Sequence, residues 1–119
     1  MIGTYLALLL SVTDGDTFKV RIEIWPSVEV VTAVRIMGID TPEIHGKCVS
    51  EKAAALKAKA RLTELLTGKQ ISLSGVKFDK YAGRIDAVVM VDRDNIGALL
   101  IQEGLAHAYD GKTKQGWCP

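Results

Sequence analysis

The stretch TFKVRIEIW, residues 17–25, alternates apolar and polar side chains along its whole length. Alternation with a period of two is typical of a β-strand that is buried on one face and exposed on the other. The residues predicted to face the core are Phe18, Val20, Ile22 and Ile24. Residues 5–12 predict a preceding strand, and the TDGD segment between the two strands predicts a hairpin turn in which Gly15 can take a positive φ. Residues 30–37 predict a third strand, antiparallel to the second.

The hydrophobic period changes at Ser50, which marks the start of a helix. Residues 50–68, SEKAAALKAKARLTELLTG, are rich in Ala, Leu, Lys and Glu, with Ser50 as the predicted N-cap and Gly68 at the C-terminal end. The predicted apolar face consists of Ala55, Ala58, Leu62 and Leu65. Two strands are predicted to follow, at residues 70–76 and 85–91. A short helix is predicted after them, from Asp94 or Asn95 to Gly104.

The predicted order of elements is β-β-β-α-β-β-α. Five short strands, with a helix between the third and the fourth, suit a small closed antiparallel barrel of the OB type. We therefore expect a mainly β protein with helices, in the α+β class, built on a five-stranded OB-fold barrel with two or three helices. The length of 119 residues predicts a single domain over residues 1–119, and a monomer is the default expectation for such a barrel.

The charges nearly balance, with 15 basic and 14 acidic residues and a formal net charge of +1. A polyanion would therefore be attracted by a local patch and not by the field of the whole molecule. A composition of 48% hydrophobic and 24% charged residues excludes a disordered chain. No segment is long enough to predict a membrane span. The apolar run MIGTYLALLLSV fits a first strand better than a signal peptide, because no positive residue precedes it and Asp14 and Asp16 follow at once.

Polar residues cluster in three of the predicted connections: the TDGD turn, VRIMGIDTPEI at 34–44 and DKYAGR at 79–84. Each cluster alone is weak evidence, because Asp, Gly and Thr-Pro occur in turns for conformational reasons. Together they supply hard oxygen ligands, which suit Ca²⁺ or Mg²⁺ and not zinc, and two arginines, which can hold phosphate oxygens bidentately. These groups are the carboxylates of Asp16, Asp40 and Glu43, the carbonyl of Thr41, and the guanidinium groups of Arg35 and Arg84.

Three segments occur in order along the chain, with a helix predicted between the last two: DGDT, VRIMGIDTPE and DKYAGR. Together they resemble the signature of the staphylococcal nuclease (thermonuclease-like) family. The resemblance runs from about Val12 to Tyr109. It implies an OB-fold enzyme that hydrolyses the phosphodiester bonds of DNA and RNA with low sequence specificity and leaves 3′-phosphates. It also implies one Ca²⁺ ion as cofactor, and single-stranded or locally open nucleic acid as substrate.

The resemblance implies roles for the residues that match these motifs. Asp16 and Asp40 would ligate Ca²⁺, with the backbone oxygen of Thr41 beside them. Arg35 and Arg84 would bind the phosphate and stabilise the charge that develops on it.

The resemblance also implies roles around the attacking water and the substrate. Glu43 would orient or deprotonate the attacking water, and Asp14 would be a neighbouring carboxylate. Lys80, Tyr81 and Tyr109 would stack on a base or reach a terminal phosphate. For Tyr109, a partly buried packing ring is an equal alternative.

The third motif departs from the form usual in the family, Asp-Lys-Tyr-Gly-Arg, because Ala82 adds a residue between Tyr81 and Gly83. An extra residue inside a strand inverts every side chain that follows it, which would turn Arg84 away from the site. In a turn or bulge the extra residue can be absorbed, and Gly83 favours that outcome.

Histidines and tryptophans are not assigned to the chemistry. A lone histidine beside a site loop is more often a surface or structural residue than a ligand, which is the prediction for His45 and His107. Trp25 and Trp117 are predicted to be packing residues.

Cys48 and Cys118 allow two readings from their spacing, an intramolecular disulfide or two buried thiols. The resemblance favours the disulfide, because Cys48 follows the active-site loop and a bridge would hold the chain end beside it. A disulfide would in turn favour an exported or surface-exposed protein. Localisation is otherwise not predicted.

Two functions from different classes fit the sequence. The first is the calcium-dependent nuclease, for which every polar position is present. The alternative is a catalytically inactive OB-fold oligonucleotide-binding module, which is disfavoured because degenerate copies of this domain usually lose the acidic and arginine positions. An unrelated OB barrel does not readily explain three motifs in order.

Overall fold

The structure, a computed structural model, describes residues 3–119 and has eight strands and two helices in that range. The strands are β1 Thr4–Asp14, β2 Thr17–Trp25, β3 Val28–Ile36, β4 Ile39–Asp40, β5 Ile71–Phe78, β6 Arg84–Val91, β7 Asp94–Asn95 and β8 His107–Ala108. The helices are α1 Val49–Leu66 and α2 Ile96–Gln102.

Five of the strands close into a barrel. Strand β1 pairs antiparallel with β2 and β5, β2 pairs with β3, and β5 pairs with β6. Strands β3 and β6 pair in parallel, from Ala33 opposite Arg84 to Ile36 opposite Ala87, which closes the cylinder. The five-stranded OB-type barrel, the order of its elements and the two helices are thus confirmed. The expectation of a wholly antiparallel barrel is wrong at this closing pair, because five is an odd number and one pair in such a ring has to run parallel.

The core confirms the alternation of residues 17–25 as far as Ile22. Phe18 and Val20 are fully buried, and Ile22 is 6% exposed. The prediction is wrong at Ile24, which is 51% exposed, and at Trp25, which is 71% exposed and does not pack. The reason is that β1 pairs with β2 only as far as Ile22, so the end of the β2–β3 hairpin has no neighbouring strand on that side.

Helix α1 packs on the barrel through Leu62 and Leu66, both of which belong to the core. Leu66 replaces the predicted Leu65, which is only partly buried. The predicted N-cap is also wrong: Ser50 lies inside the helix, and Cys48 has the extended backbone of the cap. Within residues 3–119, neither helix combines the length and the apolar character that crossing a membrane requires.

Helix α2 and the short β4–β8 pair position the C-terminal part of the chain. The side chain of Asn95 caps α2 and accepts a hydrogen bond from the Ala98 N–H at 3.0 Å, as predicted. Beyond α2, His107 pairs with Asp40, and the Tyr109 N–H donates to the Gly38 carbonyl at 2.9 Å. The chain therefore returns to the end of β3, next to the second polar motif.

The turn between β1 and β2 packs against both α1 and the loop after β4. Gly15 does not use the positive φ that its position in the turn allows, since it is not among the residues with that conformation. Glycine is needed there for space, because a Cβ at this position would lie 2.7 Å from the Ala58 Cβ and 3.1 Å from the Thr41 Cβ. This close approach sets the position of Asp14 and Asp16 relative to Thr41.

Candidate active site

The polar residues of the three motifs meet in one cleft. It has a volume of about 660 Å³ and lies between the β1–β2 turn, the loop after β4, the β5–β6 turn and the C-terminal tail. Its lining includes all nine residues predicted to contact the metal, the attacking water or the substrate: Asp16, Arg35, Asp40, Thr41, Glu43, Lys80, Tyr81, Arg84 and Tyr109. The structure thus brings together every predicted site residue, and the role of each stays a prediction.

Asp16 and Asp40 form the acidic wall of the cleft. Asp40 lies in β4 and is only 4% exposed. The hydroxyl of Thr17 donates to Asp16 Oδ1 at 2.9 Å. Arg35 Nη2 lies 3.8 Å from Asp16 Oδ2 and donates to the Ile39 carbonyl at 3.2 Å. The end of β3 therefore fixes a guanidinium directly beside the acidic wall.

Asp14 adds a third carboxylate to this side of the cleft. Burial raises the pKa of Asp14, and the negative charges of Asp16 and Glu43 raise it further. Its Oδ1 atom is buried and has no hydrogen-bond partner within the protein. An unpaired buried oxygen is uncommon, and one among carboxylates fits a site that holds a cation.

Arg84 forms the basic side of the cleft, and the extra residue of the third motif does not displace it. Ala82 lies in the β5–β6 turn, where Gly83 has a φ of +79°, so β6 begins at Arg84 with its side chain toward the cleft. Arg84 Nη2 donates to Asp79 Oδ1 at 3.0 Å, and the guanidinium carbon lies 4.8 Å from the centre of the Tyr81 ring. The turn thus absorbs the extra residue, as it would in a bulge.

Beside Arg84, Asp79 and Asp86 form a pair of neighbouring carboxyl groups that sequence reasoning missed. The pKa of Asp86 is raised to about 6, first by burial and then by the hydrogen bond and the negative charge of Asp79. Burial acts the same way on Asp79, but hydrogen bonds from Asp86, the Tyr81 N–H and Arg84 outweigh it and hold the pKa of Asp79 below its ordinary value. Residues two apart on a strand lie on the same face, so the position of Asp86 two residues after Arg84 could have indicated that its side chain also faces the cleft.

Two tyrosines line the cleft, each beside a different arginine. The Tyr109 ring centre lies 5.7 Å from the guanidinium carbon of Arg35, and the Tyr81 ring centre lies 5.3 Å from Lys80 Nζ. Tyr81 is 59% exposed, so its ring is accessible to a partner. Each ring therefore offers a stacking face beside a positively charged side chain.

The loop that carries Glu43 is held by Glu51, another residue whose role the sequence did not reveal. Glu51 Oε2 accepts the Glu43 N–H and Oε1 accepts the Lys47 N–H, both at 3.1 Å. These two bonds, that from Glu43 first, lower the pKa of Glu51. Glu51 also contributes to the one set of three neighbouring candidate metal ligands found within residues 3–119, with Cys48 and Cys118. The two sulfurs are bonded to each other, so they are not thiolate ligands.

The C-terminal tail forms the remaining wall. The Cys48–Cys118 disulfide is present, as the resemblance favoured. The ring of Trp117 stacks on His107 with 3.7 Å between centroids, and its Nε1–H donates to Asp40 Oδ2 at 3.5 Å. Trp117 therefore packs, as predicted, and also contacts the acidic wall.

The sequence matches the family model described as "Staphylococcal nuclease homologue" over residues 33–116. The chain belongs to the staphylococcal nuclease family. Within that family match lie the second and third motifs and Tyr109. The turn with Asp16 precedes the match, and Cys118 follows it, so both are placed at the site by the tertiary structure described above.

Three curated relatives carry nuclease names. The micrococcal nuclease of Shigella flexneri is 27% identical over 109 residues, which are 85% of this chain and 56% of that protein. A probable endonuclease of Schizosaccharomyces pombe is 33% identical over 93 residues, 73% of this chain and 40% of that protein. An uncharacterized endonuclease of Haemophilus influenzae is 30% identical over 101 residues, 85% of this chain and 51% of that protein. The chain spans about half the length of the curated relatives it matches.

Proposed function

We propose that this chain is a calcium-dependent endonuclease that hydrolyses the phosphodiester bonds of DNA and RNA with low sequence specificity and leaves 3′-phosphates. The observation that carries the proposal is the convergence of Asp16 and Asp40 with Arg35 and Arg84 on one cleft. Membership of the staphylococcal nuclease family and the endonuclease names of the relatives support it. Single-stranded or locally open nucleic acid is the proposed substrate, and a monomer the proposed form.

The donor atoms at the acidic wall fit a divalent cation of the calcium type. Asp16, Asp40 and the Thr41 carbonyl would hold the ion, since all are hard oxygen ligands that line the same cleft. The unpaired buried Oδ1 of Asp14 supports a positive charge at this place. When bound, Ca²⁺ would supply Lewis-acid polarisation of a phosphate oxygen.

The two arginines, which stand on the neighbouring strands β3 and β6, would bind the scissile phosphate together. Arg35 is oriented by the Ile39 carbonyl, and Arg84 is oriented by Asp79 and the Tyr81 ring. A guanidinium that is already oriented needs little rearrangement when charge builds up on the phosphate oxygens, which is why such groups stabilise a transition state effectively.

Glu43 would position the attacking water. Its side chain is 67% exposed at the cleft, while its backbone is fixed by the hydrogen bond to Glu51. Holding the loop in one conformation keeps the carboxylate within reach of the water that attacks phosphorus. Tyr81 and Tyr109, with Lys80, would contact the flanking nucleotides.

The disulfide at the edge of the site supports a location in an oxidising compartment, and we propose export on that ground.

Cleavage of end-labelled single-stranded DNA and RNA, with Ca²⁺ or with excess chelator, tests the proposal. We expect calcium-dependent cleavage that Glu43→Ala abolishes and Glu64→Ala leaves intact. Glu64 is a matched control, since its side chain is 68% exposed on α1. Removal of the product phosphate by a 3′-phosphatase tests the stated end group. Binding of both substrates without cleavage would overturn the proposal in favour of the oligonucleotide-binding module.

A further inference from the structure

Residues 110–119, here called the C-terminal strap, run along the acidic wall of the cleft. The strap is anchored at Cys118 by the disulfide to Cys48 and at Trp117 by the stack on His107. Its residues line a second cavity of about 510 Å³, which shares Asp40 with the main cleft. The strap is therefore held against a residue of the proposed cation site.

Lys114 brings a positive charge from the strap to this site. Its Nζ lies 3.4 Å from Asp40 Oδ1 and 3.8 Å from Glu43 Oε1. The other oxygen of Asp40 accepts the hydrogen bond from Trp117 Nε1, so both oxygens of this carboxylate contact the strap. The Asp40 side chain is 6% exposed while that of Lys114 is 49% exposed, so the ammonium covers a nearly buried acid from the solvent side.

We propose that Lys114 is a tethered competitor of the divalent cation. Its ammonium forms ion pairs with Asp40 and Glu43 in the cation-free protein and leaves Asp40 when the cation binds. The inference rests on the proposed cation site and adds a residue that sets its affinity. Two like charges cannot share one carboxylate oxygen without strong repulsion, so binding of the ion requires the lysine to move.

The disulfide sets how strongly Lys114 competes. Cys118 lies four positions after Lys114, so the bridge keeps the ammonium near Asp40 at a high effective concentration. A dithiol reductant opens the bridge by transferring two electrons and two protons to the sulfurs, which leaves two thiols and the oxidised cyclic disulfide of the reagent. After release of the strap, the Lys114 ammonium competes less for Asp40, and the affinity of the site for the cation rises.

Calorimetric titration with Ca²⁺ tests this inference without a measurement of cleavage. We expect Lys114→Met to bind Ca²⁺ about tenfold more tightly than the wild type, because two ion pairs to carboxylates of the site are removed. Lys112→Met is the matched control, with an expected change of less than about twofold. Lys112 is an exposed lysine of the same strap, and within residues 3–119 its ammonium forms no ion pair.

Reduction supplies the second arm of the experiment. A dithiol should tighten Ca²⁺ binding by the wild type and leave that by Lys114→Met nearly unchanged, with circular dichroism showing that both proteins stay folded. Unchanged or weaker binding by Lys114→Met, beside a wild type whose binding is lost in Asp40→Ala, would overturn the inference alone. Absence of Ca²⁺ binding in both the wild type and Lys114→Met would overturn the inference together with the proposed cation site.

Discussion

Gly15→Ala should destabilise the protein by about 1–2 kcal/mol, because the new methyl group has no room. The added Cβ would lie 2.7 Å from the Ala58 Cβ and 3.1 Å from both Cβ and Cγ2 of Thr41. Ordinary contacts between carbon atoms are about 3.5–4.0 Å, so the turn and α1 have to separate by about 1 Å. Overpacking of this kind costs about 1–3 kcal/mol, and the smaller entropy of the unfolded alanine chain offsets about 0.4–1 kcal/mol of it.

Chemical denaturation measures this loss, and two further variants test its cause. Gly116→Ala is the matched control, because no atom lies within 4 Å of its added Cβ and its φ is not positive; we expect a change below about 0.5 kcal/mol. Adding Ala58→Gly removes the nearer atom, so the double variant should be more stable than the sum of the two single changes predicts. A Gly15→Ala variant as stable as Gly116→Ala, or strictly additive effects, would refute the reasoning.

Three further predictions concern the disulfide, the carboxyl pair of Asp79 and Asp86, and the proposed phosphate site. Replacing Cys48 and Cys118 together by Ser should lower the free energy of unfolding by about 4 kcal/mol, because the bridge joins residues 70 positions apart and restricts the unfolded chain. A loss below about 1 kcal/mol in denaturant titration would contradict this. The pKa of Asp86 is raised from 3.8 to about 6, so the folded protein binds that proton more tightly than the unfolded chain, and the contribution of Asp86 to stability falls as the pH rises between these values. Asp86→Asn removes this loss, so its stability relative to the wild type should increase from pH 4 to pH 7; a constant difference would exclude the assigned pKa. Arg35→Ala should lower turnover on single-stranded DNA by about 100-fold or more with circular dichroism unchanged, and wild-type turnover would remove Arg35 from the phosphate site.

The fold was predictable where the signal is local. The alternation in residues 17–25 and the helical composition after Ser50 give the strands and helices, because both patterns repeat within one element. The errors fall where a neighbouring element decides the outcome. Ile24 continues the alternation but is exposed, because β1 does not pair with β2 at that position. Helix α1 begins at Val49 and not after Ser50, and its N-cap is Cys48, the residue that the disulfide joins to the distant chain end.

The chemical groups of the cleft can be read from the amino-acid sequence alone. The three ordered motifs supply the carboxylates and guanidinium groups of the cleft and carry the resemblance to the staphylococcal nuclease family. The side chains that contact these groups from elsewhere in the chain follow from the tertiary structure: Glu51 on the loop of Glu43, Asp86 beside Asp79, and Lys114 against Asp40. Periodicity and motifs report on neighbours along the chain, whereas these contacts depend on barrel register, helix docking and the disulfide, which join distant segments.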